Sequence, residues 1–116
     1  MEVRVEATGD LFVITPAGRL DGPGARKLRQ ESATLTGAKL PLVIDLGETS
    51  AVLALGAETI YSLARQRRAN GARTAVARCN PATKRLLHAA GIAAFVAEHA
   101  TVSEARKALR AASGGA

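Results

Sequence analysis

The chain has 116 residues, 47% of them hydrophobic, and a formal net charge of +6. That length and apolar content suit one domain with its own core and exclude a mainly disordered chain. The single cysteine, Cys79, excludes an intrachain disulfide or a cysteine metal cluster, and no run of about 18 apolar residues is present to span a membrane.

The only aromatic residues are Phe12, Tyr61 and Phe95, so the core must be built from Ala, Val, Leu and Ile. Residues 2–7 alternate apolar and polar side chains, as a strand with one exposed face does. The same alternation leaves no signal-peptide core, and a cytoplasmic protein is expected. Gly9-Asp10 marks a turn of two or three residues, and residues 11–15 form the second strand of a hairpin. Pro16 lacks an N–H and is expected to end regular pairing. Gly18-Arg19-Leu20-Asp21 follows, and Pro23 opens a helix to about Leu35 with Ala25, Leu28, Ser32 and Leu35 on one face and Gly37 at its end.

Leu40–Leu46 contains the apolar run Leu42-Val43-Ile44, bounded by Pro41 and Gly47, and reads as a buried central strand. Gly47 to Ser50 forms a polar corner. A helix then runs from about Ala54 to Asn70, with Leu53, Ala57, Ile60, Tyr61 and Ala64 recurring at helical spacing. Asn70-Gly71 is a good C-terminal cap, and Arg65, Arg67 and Arg68 suit the negative end of the helix dipole. Residues 72–77 alternate as a fourth strand. Asn80 and Pro81 start a helix to Ala90, with Leu86 and Leu87 at core spacing. Ala93–Ala97 reads as a short fifth strand. Thr101 and Glu104 make a capping box for a last helix to about Ala111, and residues 113–116 read as a flexible tail. The pattern predicts a single α/β domain over residues 1–112: a mixed sheet of about five strands, an edge hairpin, and about four helices packed mainly on one face.

The stretch VIDLGETSAVLALGAETI resembles the central segment of STAS domains, the modules of anti-sigma factor antagonists and of sulfate-transporter tails. GRLD at residues 18–21 and CNPATKRLLHAAGI at 79–92 resemble two further segments of that family, so the likeness runs through nearly the whole chain. The family places an acid, two hydroxyl residues and a glycine at the start of a helix, and one hydroxyl is phosphorylated by the anti-sigma factor's kinase. Aligned without gaps, Gly56 matches that glycine, while the acid and the hydroxyls fall on Leu53, Ala54 and Leu55. The resemblance therefore implies the fold and a protein-binding role without the usual phosphoacceptor.

No enzyme emerges from the residues. His88 and His99 have no nucleophile, carboxylate or metal-ligand spacing, and Gly18, Gly22 and Gly24 do not form a phosphate cradle. No metal or other cofactor is expected. Cys79 precedes the helix at Pro81, where its thiolate would be mildly favoured, or it is an inert, partly buried thiol. Most of the basic residues lie on helical polar faces, without an aromatic stacking set, so no specific nucleic-acid site is expected. Asp21 reads either as part of a partner-facing surface or as a residue capping the next helix.

The leading reading is a non-catalytic interaction module in a bacterial signalling pathway, a constitutive binder of an anti-sigma factor or its kinase-like domain. Homodimerisation is compatible with it. The candidate protein-binding residues are Asp21, Asp45, Ser50, Ala54, Leu55, Gly56 and Glu58. Ser50 and Thr59 are candidates for a displaced phosphorylation site. Leu53 is expected to point inward, so that a carboxylate there unfolds the domain, whereas Leu55 faces out. Two other readings remain: an accessory STAS subunit of an ABC-type lipid transport system, and a small anionic-ligand sensor using the crevice beside Asp45 and Ser50.

Overall fold

The computed structural model describes residues 1–35 and 39–114. In chain order the elements are β1 (Glu2–Ala7), β2 (Phe12–Leu20), α1 (Gly22–Ser32), β3 (Leu42–Asp45), β4 (Thr49–Val52), α2 (Ala54–Ala69), β5 (Thr74–Ala77), α3 (Pro81–Ala89), β6 (Ala97–His99) and α4 (Val102–Gly114). One-turn 3-10 segments follow α1 at Ala33–Leu35 and α3 at Ile92–Ala94. The sheet runs β1-β2-β3-β5-β6, with β4 attached to β2. Among the described residues β1 and β2 pair antiparallel, and the other pairings are parallel. This is the mixed α/β architecture read from the sequence, with the hairpin at the edge.

Side-chain alternation on β3 explains the layering. Leu42 and Ile44 pack with Leu28 of α1, Ile60 of α2 and Leu87 of α3. Val43 points through the other face to Ala75 and Ala77 of β5 and to Ala105 and Leu109 of α4. Three helices thus cover one face and the last covers part of the other. All four residues of β3 and of β5 are buried, as expected for parallel strands covered on both sides. The period-two pattern of residues 72–77 therefore does not mark an exposed face. No helix among the described residues is long and apolar enough to cross a membrane.

The structure corrects several boundaries. β2 does not stop at Pro16 but continues to Leu20, because the missing N–H falls where it is not needed. Phe12 donates its N–H to Pro41 of the β3 side and Gly18 donates to Glu48. Even positions of β2 therefore face β3 and then β4, and Pro16 lies in the gap between the two ladders. The hairpin connection is Thr8–Leu11, longer than expected, closed by the Thr8 N–H to the Leu11 carbonyl at 3.0 Å. The expected fifth strand around Phe95 and Val96 is instead a turn. Gly91 adopts φ +75°, and Phe95 and Val96 both donate to the Ile92 carbonyl; the strand starts at Ala97, where the expected one ends. Val96 is apolar because it is buried.

Arg67 was expected on a polar face, yet it is 7% exposed. Its guanidinium donates to the carbonyls of Leu35 and Leu40 and lies over the Phe12 ring, tying α2 to both sides of the 36–38 segment. Gly37, expected to end α1, lies outside the described residues. At the other end α4 extends to Gly114, so Ser113 and Gly114 belong to the helix, and 115–116 lie outside the described residues.

Candidate functional site

The carboxyl end of β3, strand β4 and the start of α2 meet at one corner of the sheet. Asp45 closes β3 and is buried. Arg78, just past β5, donates from Nε to Oδ1 at 2.9 Å and from Nη2 to Oδ2 at 2.8 Å, and the Gly47 N–H donates to Oδ1 at 3.0 Å. Burial alone would raise the Asp45 pKa, but these hydrogen bonds and the positive charges of Arg78 and Arg4 outweigh it and hold the carboxyl below its ordinary value. The guanidinium explains Gly47: a Cβ there would lie 2.3 Å from Arg78 Cζ. Arg78 reaches this position from a left-handed backbone at φ +58°. Asp45 is thus spent on a bidentate clamp between two loops. Glu48 is paired with Arg4 of β1.

The corner expected at 47–50 is shorter, because Thr49 and Ser50 begin β4. Thr49 is buried and donates its hydroxyl to the Pro16 carbonyl at 2.8 Å, filling the gap that Pro16 leaves beside β2. Ser50 is exposed on β4. From there the Leu53 N–H donates to the Leu20 carbonyl at 3.0 Å, and α2 begins.

Leu53 is the N-cap of α2, with the extended backbone (φ −97°, ψ 175°) that capping requires but no side-chain bond to the helix. It is half-buried, whereas Ala54 and Leu55 are exposed, Leu55 by 52%. Gly56 is buried because the helix start presses on β2: a Cβ would fall 2.5 Å from the Leu20 carbonyl oxygen. Thr59 is fully buried and donates to the Leu55 carbonyl at 2.9 Å, so its hydroxyl faces no solvent. Glu58 and Ser62 are exposed.

Asp21 caps α1, accepting from the Gly24 N–H at 3.0 Å, and Arg19 stands 3.8 Å away. The start of α1 lies beside that of α2. Leu55 Cδ1 is 3.4 Å from where a Cβ on Gly22 would stand, and Met1 Sδ is 3.0 Å from the corresponding point on Gly24. Two of the large exposed apolar side chains, Met1 and Leu55, therefore flank the first turn of α1. Of the candidate residues, Leu55 shares this corner with the α1 turn that Asp21 caps, while Asp45, Gly56 and Thr59 are engaged inside the fold. Arg78 and Gly22 were not foreseen: nothing in the local sequence marks Arg78 for positive φ, and Gly22 was weighed only as part of a phosphate cradle.

Cys79 is half-buried. Its burial, with the negative charge of Glu98, pushes the thiol up to about 11 against the pull of Lys84. The helix start at Pro81 does not yield a thiolate. Asn80 instead caps α3, accepting from the Thr83 N–H at 2.8 Å.

The model of the STAS domain matches residues 2–105. The chain belongs to the STAS domain family. Its fold is shared with solved structures at low identity. A Thermotoga maritima protein described as an anti-sigma factor antagonist superposes with a TM-score of 0.85 at 16% identity, over 93% of this chain and 94% of that one. An anti-sigma factor antagonist from Mycobacterium paratuberculosis gives 0.78 at 23%, over 94% and 93%. The Bacillus cell fate determinant SpoIIAA, in its phosphorylated form, gives 0.73 at 21%, over 91% and 97%. No curated protein matches the chain in sequence. Leu53, Ala54 and Leu55 are the N-cap and first two residues of α2.

Proposed function

We propose that this STAS domain, spanning residues 1–112, is a non-catalytic protein-interaction module that binds its partner constitutively through the starts of α1 and α2. The observation that carries the reading is Leu55: a leucine 52% exposed in the first turn of a helix whose N-cap offers no side-chain acceptor. The first N–H groups of α2 have no intrahelical partner. With Met1 across the first turn of α1 and Glu58, Ser62 and Ser50 around it, Leu55 gives an apolar centre with a polar rim, as protein interfaces have. The resemblance to anti-sigma factor antagonists points to an anti-sigma factor or a kinase-like domain as the partner, in the cytoplasm.

The constitutive character follows from the hydroxyls. The Bacillus relative has a phosphorylated form, and a phosphate of about −1.5 to −2 charge at a helix start is a strong electrostatic switch. Leu53, Ala54 and Leu55 cannot accept one. Thr49 and Thr59 are buried and spend their hydroxyls on backbone carbonyls. Of the two displaced candidates, only Ser50 is exposed.

The test is affinity capture from cell extract with identification by mass spectrometry, using wild type and Leu55→Asp. A folded Leu55→Asp variant should lose the captured partner, because a carboxylate in an apolar contact must be desolvated. Unchanged capture would move the site off this corner. Incubating the protein with the captured kinase and ATP should leave residues 49–62 unphosphorylated; stoichiometric phosphate anywhere between Thr49 and Ser62 would overturn the constitutive reading.

A further inference from the structure

At the other end of α2, roughly 20 Å from Leu55 along the helix, lies a cleft of about 520 Å³. It runs between the end of α2, the entry to β5, the turn before β6 and α4. Its size falls within the ~300–1,000 Å³ of small-ligand sites. Arg68 and Arg73 line it, His99 and Thr74 contribute to its wall, and Phe95 and Leu109 are its large apolar groups. No carboxylate among the described residues lines it.

Three observations point to a ligand. Neither Arg68 nor Arg73 has an acidic partner among the described residues, so their charges are not neutralised by the fold. Phe95 keeps 38% of its surface exposed although its ring is fixed, edge-on to Tyr61 at 5.1 Å and beneath the Arg68 guanidinium at 5.6 Å. A part-exposed ring with one cation on its face and a second arginine in the same lining is an apolar surface flanked by positive charge. Finally, two polar atoms buried in the wall, Thr74 Oγ1 and His99 Nε2, have no hydrogen-bond partner, and Thr74 is only 6% exposed. Buried polar atoms are nearly always satisfied, and both of these belong to residues that line the cleft.

We propose that this cleft binds a small organic anion, its carboxylate, sulfonate or phosphate head held by Arg68 and Arg73 and its apolar body lying on Phe95 and Leu109. The site is separate from the crevice beside Asp45, whose carboxyl is already occupied by Arg78. It is also independent of partner docking at Leu55.

The experiment is a titration of the full chain with 1-anilinonaphthalene-8-sulfonate, followed by fluorescence and calorimetry, with the uncharged N-phenyl-1-naphthylamine as its counterpart. The sulfonate should bind one-to-one, about tenfold or more tighter than the uncharged probe, since charged hydrogen bonds are the stronger ones. Arg73→Glu should weaken the sulfonate by at least about tenfold on the same grounds. Arg73 makes no ring contact, so this variant leaves the Arg68–Phe95 packing in place. Ala108→Trp, at an exposed position of α4 that lines the cleft, should block both probes. Amide shifts should cluster at Thr74, Phe95 and His99 and leave Leu55 still, and Leu55→Asp should bind the probe normally. Equal affinity for the two probes, unchanged affinity in folded Arg73→Glu and Ala108→Trp variants, or shifts centred elsewhere would each overturn the proposal without touching the reading at Leu55.

Discussion

Leu53 offers the sharpest test of how the α2 start is built. From the sequence, a carboxylate at this position should unfold the domain; the structure leads to a different result. Leu53 is half-buried and has the backbone of an N-cap, with no side-chain acceptor for the N–H groups of Leu55 and Gly56. A serine or aspartate here would supply that acceptor, worth about 1 kcal/mol with a range of about 0.5–2. Losing a half-buried leucine costs about half of the roughly 1.5–3 kcal/mol of a fully buried one, about 1 kcal/mol. The net for Leu53→Asp is thus within about 1 kcal/mol of zero, which a marginally stable domain survives. Leu53→Ala isolates the cap, since it loses the same packing and gains no acceptor. At about 2.1 cal/mol/K per residue of unfolding entropy, 1 kcal/mol in a domain this size moves Tm by roughly 4 °C. Thermal unfolding followed by circular dichroism should therefore place Leu53→Ser roughly 4 °C above Leu53→Ala, with Leu53→Asp still melting cooperatively. A Leu53→Ser variant melting at or below Leu53→Ala would refute the cap assignment.

Two further outcomes follow from the same corner. Gly56→Ala should lower Tm even though alanine gains about 1 kcal/mol in helix propensity, because its Cβ would sit 2.5 Å from a backbone oxygen and 2.7 Å from Leu20 Cγ; overpacking of this kind costs about 1–3 kcal/mol, and a higher Tm would show that β2 yields. The folded pKa of Asp45 is depressed, so its contribution is fully present above the unfolded value near about 3.9 and is lost as pH falls through the folded one. Denaturant midpoints should therefore fall below about pH 4 in the wild type, and the fall should be shallower in Asp45→Asn; parallel profiles would remove Asp45 from the acid response.

The fold was legible wherever burial and punctuation agreed. Leu42-Val43-Ile44 between Pro41 and Gly47 is a central strand because three apolar side chains in succession need cover on both faces. Asp21, Asn80 and Thr101 cap the helices that follow them, since a short polar side chain is what the first N–H groups require. What could not be read was pairing that depends on a distant element. Pro16 breaks a strand only when its N–H would have met an acceptor, and whether one stands there is decided by β4, thirty residues on. Strand β4 was itself hidden: Thr49-Ser50-Ala51-Val52 has too few apolar residues to signal a strand, and forms one because β2 overruns β3 and leaves an edge at Gly18–Leu20.

The candidate site divides along the same line. Helical spacing distinguishes Leu53 from Leu55, since residues four apart share a face and Leu53 aligns with Ala57; the structure likewise leaves Leu55 the more exposed of the two. Spacing does not reveal that Leu53 occupies a capping position, because the cap is defined by backbone angles and not by the side chain that happens to be there. Nor does it separate Arg67 from Arg65 and Arg68, three residues that equally suit the end of a helix dipole. Arg67 falls one helical turn beyond Ala64 and Leu63, on the face that meets the sheet, and a guanidinium can be buried there because two backbone carbonyls and the Phe12 ring receive it. Arg68, one step around the helix, is left facing the cleft with no acid beside it. One residue of rotation therefore decides whether an arginine stitches the fold or lies on an exposed ring without an acidic partner among the described residues. The same rotation at the other end seats Gly56 against β2 and turns Leu55 to solvent, so the two ends of α2 expose different chemistry for one geometric reason.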